Sequence, residues 1–403
     1  MVNKAIVMTG MRRDHGVDLL QSGAEYFPAL IAAIDASVSE VRLETYIFHF
    51  DATGIQVAQA LEAAAKRGVA VYLVVDGIGT PEIAPEWVQR FASAGVLWHR
   101  FSPLGTFGLL IPGRWRRMHR KLCVVDAHVL FCGGLNVLDD LYELGHGLQT
   151  SPRFDFAVRV TGSLVGDAHF AMVQFWQRLL VTRQLERGNL LGAGRAMRKP
   201  ATPSLQTMEP QGHIAAALVL RDNVRNRRRI ERVYCQAIAH AKEEVLIANA
   251  YFLPGAKLRR ALVHAARRGV KVKLLLQGKY EYFMQFHTTK AFYKGLTQAG
   301  VEIYEYRAGY LHAKVAVIDR KWATVGSSNL DPLSLLLARE ANVVIDDRDF
   351  ATRLHAALDK AVDSQSVRME EHALDARPFI QKCKDKVAYL LMRLTLFLTG
   401  KDY

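Results

Sequence analysis

Residues 118–136 read MHRKLCVVDAHVLFCGGLN, and residues 311–329 read LHAKVAVIDRKWATVGSSN. Each string sets out a histidine, a lysine two residues on, an aspartate, a glycine and, three residues after that glycine, an asparagine. The matched pairs are His119/His312, Lys121/Lys314, Asp126/Asp319, Gly133/Gly326 and Asn136/Asn329, and the same 193 residues separate every pair. Gly134 stands opposite Ser327. Five matches without a slip point to duplication rather than chance.

Both motifs lie on β-rich runs, KLCVVD and KVAVID. Residues two apart on a strand share a face, so each strand delivers an imidazole and an ammonium to one spot. Upstream, the first half reads as a short strand and an amphipathic helix (17–36), a strand (40–48), an Ala-rich helix (54–66), an apolar strand (69–75) and a helix (86–94). The second half repeats this order, with a helix at 230–241, a strand at 244–252, a helix at 258–267 and a strand at 270–276. Glu40 pairs with Glu244, Arg67-Gly68-Val69 with Arg268-Gly269-Val270, and Ala94-Gly95-Val96 with Ala299-Gly300-Val301. Strand, helix, strand in succession implies βαβ units, and a repeat this long implies two similar α/β domains. We place the first at 1–180, a linker at 181–215 where Pro and Gly replace periodicity, the second at 216–365, and a basic, apolar tail at 366–403.

The offset between the halves falls from 205 residues at the Ala-Gly-Val landmarks to 193 at the histidines, so the first half holds about a dozen extra residues within 101–117. That insertion sets Phe107, Leu109, Leu110 and Trp115 beside Arg114 and Arg116. It reads either as a loop packed on the other domain or as a lip that dips apolar side chains into lipid while its arginines meet phosphate headgroups. The tail run 387–398 contains Arg393 and is too short to span a bilayer, so it reads either as a docking helix or as an interfacial membrane helix. The chain has 53 Lys and Arg against 39 Asp and Glu, a net +14, which suits a polyanionic partner, nucleic acid or anionic bilayer alike. Four scattered cysteines form no metal-binding spacing and are expected as free thiols. The N-terminus lacks the pattern of a signal peptide, and no apolar run has the length of a spanning helix, so a peripheral cytoplasmic protein is expected.

Two lysines, two asparagines and the glycine-rich backbone after each motif make an oxyanion cradle suited to tetrahedral phosphate. Two imidazoles suit displacement at a phosphodiester, where one attacks phosphorus and the other manages the proton of the departing and incoming alcohols. Such chemistry needs no cofactor and no metal, because the lysines and amides can neutralise developing charge.

The doubled pattern His-x-Lys-x4-Asp-x6-Gly-(Gly/Ser)-x-Asn resembles the signature of the phospholipase D superfamily. LETYIF (43–48), RRMHRK (116–121), IANAYFLPG (247–255), ARRGVKVKLLLQG (266–278) and ATVGSSNLDPLSL (323–335) further resemble bacterial cardiolipin synthases, most closely the B type that lacks N-terminal transmembrane helices. The resemblance implies two phospholipase D-like α/β/α sandwich domains related by a pseudo-twofold axis, with one active site at their interface. It implies phosphatidyl transfer between two phosphatidylglycerol molecules, giving cardiolipin and glycerol through a phosphohistidine, on the cytoplasmic face of the inner membrane. It makes His119 the nucleophile and His312 the acid and base. Lys121, Lys314, Asn136 and Asn329 then hold the phosphate, and Asp155 and Glu340 orient the histidines. Asp126 and Asp319 belong to the motif and are counted with its catalytic residues, though each stands seven residues past its histidine, where it can fix a strand-end turn rather than touch substrate. Glu44 and Asn249 are rim candidates for which a structural role is the plainer reading. The alternatives are a phospholipase D-type hydrolase or transphosphatidylase on other phospholipids, a superfamily nuclease, and a non-enzymatic peripheral protein that binds anionic lipid. The apolar insertion and tail favour anionic phospholipid and a membrane surface over nucleic acid as partner.

Overall fold

The structure, a computed structural model, describes residues 10–80, 82–103, 115–186, 188–189, 191–192, 211–222, 226–331 and 338–398. The first half supplies β1 (Arg12–Gln21), β2 (Glu40–Thr45), β3 (Ala70–Asp76), β4 (Leu97–Phe101), β5 (Arg117–Met118), β6 (Leu122–Val125) and β7 (Val129–Gly133). A small separate hairpin, β8 (Tyr142–Glu143) and β9 (Gly147–Leu148), precedes β10 (Phe156–Thr161). The second half supplies β11 (Ile214–Arg221), β12 (Glu244–Asn249), β13 (Lys271–Gln277), β14 (Glu302–Tyr306), β15 (Lys314–Ile318), β16 (Trp322–Gly326), β17 (Ala338–Asp346) and β18 (Ser366–Arg368).

Among the described residues one continuous sheet runs β18-β14-β13-β12-β15-β16-β17-β11-β1-β10-β7-β6-β2-β3-β4, with β5 pairing onto β17. Apart from the edge strand β18 and the short β5, the order is a palindrome about the antiparallel β1–β11 pair, in which Arg12 faces Ala216 and His15 faces Ile214. An antiparallel pairing of equivalent strands is what a twofold relation between the halves requires. Helix Ala52–Lys66 links the parallel strands β2 and β3, and helix Ala256–Arg267 links β12 and β13, so both expected βαβ units are present.

Each half buries an outer apolar core, Leu61, Leu73 and Phe91 in the first, Leu262, Leu274 and Ile303 in the second. The inner faces of both halves share a third core, in which Val124, Val158, Val315 and Val343 pack with Leu164 and Leu354 of the helices Leu164–Glu186 and Arg348–Gln365. The landmark glutamates have a clear purpose there. His169 Nε2 reaches Glu40, and His355 Nε2 reaches Glu244 at 2.6 Å, so each long helix is pinned to the first strand of its own βαβ unit. The Arg-Gly-Val landmarks are helix stops. Gly68 and Gly269 take φ of 92° and 87°, and Arg67 and Arg268 donate back to the carbonyls of Ile34 and Ile238 at 3.0 and 3.1 Å.

Two expectations need adjusting. Helix Leu164–Glu186 runs past residue 180 and β11 begins at Ile214, so the linker is shorter at both ends than 181–215. The tail forms a longer helix than its apolar run suggests, Phe379–Leu398, and no helix among the described residues is long and apolar enough to cross a membrane. Within the insertion, Phe107, Leu109, Leu110 and Arg114 lie outside the described residues. Trp115 is half-buried, Arg116 is exposed, and Arg117 closes the segment by donating to Ser102 O at 3.1 Å.

The motif aspartates are the third correction. Asp126 and Ala127 have φ of 50° and 53°, Asp319 and Arg320 have 52° and 45°, and each couple forms the tight turn of its hairpin, β6–β7 or β15–β16. Asp126 accepts from the backbone of Val38, Ser39 and Glu40 at 3.0, 2.8 and 2.9 Å and from the Ser39 hydroxyl at 2.7 Å. Asp319 accepts from Lys242, Glu243 and Glu244 in the same way, at 2.9, 2.8 and 3.0 Å. Partial burial alone would raise the Asp126 pKa, yet these donors hold it below the usual carboxylate range. Six extended residues separate each aspartate from its histidine, roughly 20 Å of chain. The aspartates therefore tether the entry of β2 and β12 and stand away from the imidazoles. Asp126→Ala should destabilise the protein by about 2–3 kcal/mol, read as an earlier urea midpoint, and Asp319→Ala should do likewise. A wild-type midpoint in both would mean that these carboxylates act elsewhere.

Candidate active site

The chain alternates through both motifs as an extended segment must. Arg120, between His119 and Lys121, turns to the opposite face and forms a buried pair with Glu44 at 2.7 Å. Asn249, at the end of β12, accepts from Leu330 N at 3.1 Å. Both rim candidates thus hold the frame.

The halves are joined at the histidines by a crossed arrangement. His119 N donates to Arg339 O at 3.0 Å beside the parallel pairing of β5 with β17, and both oxygens of Glu340 lie within 3.2 Å of His119 Nδ1. In the other direction, Phe154 N donates to Tyr310 O at 2.8 Å and His312 N to Phe154 O at 2.9 Å. This sets Asp155 Oδ2 at 2.6 Å from His312 Nδ1. Each histidine of one half is therefore oriented by the carboxylate of the other. A carboxylate on Nδ1 favours the tautomer that keeps its proton there and leaves Nε2 free for chemistry; at His312 Nδ1 the Lys314 ammonium, 2.9 Å away, competes with Asp155 for that nitrogen.

The Gly134/Ser327 difference follows from the two carboxylates. A Cβ at Gly134 would fall 2.3 Å from Asp155 Oδ1, so only glycine leaves room for that carboxyl. On the other side the Ser327 hydroxyl donates to the longer Glu340 side chain at 2.5 Å and fixes it. Asp155 is instead fixed by the backbone N–H of Phe156 at 2.8 Å. Gly133 and Gly326 let their strands approach β10 and β17, since a Cβ would lie 2.5 Å from Ala157 Cα or 2.4 Å from Asn342 Cγ. Asn136 accepts from Ile47 N at 3.1 Å through its carbonyl oxygen, which leaves its NH2 group as a donor, and Asn329 is buried at the matching position.

Lys121 and Lys314 have 2% and 0% relative exposure, and that burial dominates their chemistry. Desolvation and the neighbouring Lys314 charge lower Lys121 to about 7. Desolvation lowers Lys314 to about 8 despite the nearby Asp155 and Glu340. Each lysine donates to its own histidine's carbonyl, Lys121 at 2.9 Å. Burial, and then the adjacent lysine, pushes both imidazoles below their ordinary value, His312 further than His119. Burial raises Asp155 to about 7. His312 feels charge on His119, and the lysines act on each other, so the six groups form a single electrostatic unit.

Several wall residues were not anticipated. Asp76, at the end of β3, accepts from Met118 N at 2.8 Å and pairs with Arg117 at 3.1 Å, which sets the approach to His119. Gln277, at the matching end of β13, accepts from Leu311 N at 3.3 Å. Continuing the repeat from the Arg-Gly-Val landmarks leads to this pair, but the residue types differ and hide it. The Tyr46 ring lies 4.9 Å from the His119 ring. Across the site, Tyr251 donates its phenol to Glu281 at 2.6 Å, and burial raises Glu281 to about 7.

Comparison with known proteins bears on this geometry. A family model described as "Cardiolipin synthase, PLD-like domain" matches residues 30–143 and 234–362. Cardiolipin synthase B of Escherichia coli is 38% identical over 393 residues, covering 96% of this chain and 90% of that protein. A cardiolipin synthase of Geobacillus kaustophilus is 29% identical and covers 93% of this chain and 72% of its own. Among solved structures, a phosphatidylserine synthase of Haemophilus influenzae shares the fold with a TM-score of 0.68 at 13% identity, covering 96% of this chain and 94% of its own. With its doubled motif and paired phospholipase D-like halves, the chain belongs to the cardiolipin synthase family.

Proposed function

We propose that the chain makes cardiolipin by transferring a phosphatidyl group from one phosphatidylglycerol to another, releasing glycerol. The observation that supports this most directly is the crossed pairing of two histidines with two carboxylates around two buried lysines. His119 Nε2 attacks phosphorus, the bond from phosphorus to the glycerol oxygen breaks, and His312 Nε2 gives its proton to the departing oxygen. A hydroxyl of a second phosphatidylglycerol then loses its proton to His312 and attacks the phosphohistidine. The phosphorus–nitrogen bond breaks and His119 is restored.

Geometry supports this division of roles. The Asp155 contact to His312, 2.6 Å, is shorter than the 3.1 Å approach of Glu340 to His119, and a close carboxylate favours the imidazolium. Burial and Lys314 oppose that charge. The phosphodiester anion offsets both lysines on entry and lets His312 hold its proton. Lys121, Lys314 and the Asn136 and Asn329 amides take up the charge that develops on the equatorial oxygens. Because the substrates are bilayer lipids, the protein works at a membrane surface, which we take to be the cytoplasmic face of the inner membrane. Trp115 and Arg116, immediately ahead of His119, are candidates for lipid contact there.

Pure phosphatidylglycerol in mixed micelles should yield cardiolipin and glycerol in equal amounts. His119→Ala or His312→Ala should each lower the rate at least about 10²-fold. Phosphatidic acid as the main product would replace the transferase with a hydrolase. A second prediction concerns pH. The lysines bind phosphate only as cations, and they lose their protons as pH rises through about 7 and 8. Thus kcat/KM should fall across that window. Lys121→Arg, which stays charged, should move this alkaline limb upward by at least about one unit even if the maximum drops. An alkaline limb that stays in place would assign it to another group.

A further inference from the structure

The tail helix Phe379–Leu398 has two apolar faces, of which the protein covers one. On the docked face Ala388 and Met392 are buried, and Asp385 takes His287 Nδ1 at 2.7 Å and Arg377 at 2.8 Å. The other face presents Phe379, Ile380, Val387, Leu390, Leu391 and Leu394, each between 46% and 82% exposed. From Val387 onward these recur at the three- and four-residue spacing of a single helical stripe.

A second, independent feature adjoins it. Helix Ala256–Arg267 opens Arg259, Arg260, His264 and Arg267 onto a surface pocket whose far wall is Ala291, Phe292 and Gly295. None of the three arginines has a carboxylate partner among the described residues. Phe292 joins the two features. The Arg259 guanidinium lies 5.4 Å above its ring, and Tyr389 of the tail helix meets it edge-on at 5.5 Å.

Cationic pocket and apolar stripe together select the partner. A second copy of this +14 chain would set like charges against the arginines, and an acidic protein surface alone would leave the stripe in water. An anionic bilayer offers acyl chains to the stripe and phosphates to the pocket. The position also suits the chemistry. The tail docks through His287 on helix Phe283–Lys290, and Tyr282, just before that helix, meets at 6.4 Å the ring of Tyr251, whose phenol donates to Glu281 at the site wall.

We propose that this corner is where the protein seats on an anionic bilayer. The stripe lies at the boundary of headgroups and acyl chains, and the arginine pocket holds the phosphate of an anionic lipid separate from the one in the His119–His312 site. This rests on the reading of the chain as an enzyme of bilayer lipids, and the test keeps the two apart. Wild type, Leu390→Ser/Leu391→Ser/Leu394→Ser and Arg260→Glu/Arg267→Glu are compared by flotation on phosphatidylcholine vesicles with and without roughly a quarter phosphatidylglycerol. All three are also assayed in mixed micelles, where absence of wild-type product would count against the enzymatic reading alone. The serine variant should lose binding to both vesicle types. The glutamate variant should bind anionic vesicles at least about tenfold more weakly while keeping wild-type affinity for neutral ones. Both should retain micellar activity, which also shows that they fold. Wild-type flotation by both variants overturns the proposal. So does a serine variant whose lost binding accompanies dissociation of a wild-type dimer, which would give the stripe to a second copy.

Discussion

The site depends on two short backbone pairings that cross from one half of the molecule to the other. His119 N bonds to Arg339 O, and His312 N bonds to Phe154 O. Because Glu340 follows Arg339 and Asp155 follows Phe154, each pairing delivers a carboxylate to the imidazole it has just placed. Neither half can assemble an oriented histidine alone. The continuous sheet through β1 and β11 and the inner core shared by both halves keep the two pairings in register. Small relative movement of the halves would degrade both histidines together, which gives a duplicated protein a physical reason to keep one rigid interface.

Burial supplies the reactivity. Two ammonium groups, two imidazoles and two carboxylates withdrawn from water cannot all keep their ordinary protonation, and the lysines have pKa values drawn down to about 7 and 8. Such a cluster accepts an anion readily, because the anion lets both lysines and one imidazole stay protonated. A phosphodiester adds the negative charge that balances a protonated His312 and is also the group on which the histidines act, so binding and activation of the substrate share one electrostatic cause.

The duplication was legible because equal offsets at His, Lys, Asp, Gly and Asn need no structural knowledge to see. The strands and βαβ units followed from apolar patterning. The crossing was hidden, since sequence distance makes Asp155 look like a partner of His119 and Glu340 a partner of His312. Only strand pairing between the halves reverses that. The motif aspartates group with the chemistry in the sequence because they recur with it, whereas six extended residues carry them to the far end of the hairpin. The linker boundary was set too early because helix Leu164–Glu186 buries nothing beyond Leu179, leaving its last turns without an apolar stripe to read. In the tail, docking through Asp385 and His287 extends the helix well ahead of its apolar run.

The most direct measurement is a pre-steady-state burst with a phosphatidyl p-nitrophenyl ester, whose leaving group departs without acid assistance. Crossed orientation with His119 as nucleophile predicts that His312→Ala and Asp155→Asn keep the p-nitrophenol burst while losing turnover. His119→Ala and Glu340→Gln should lose the burst itself. A burst that survives in Glu340→Gln and vanishes in Asp155→Asn would contradict the account, because each carboxylate would then serve the histidine of its own half.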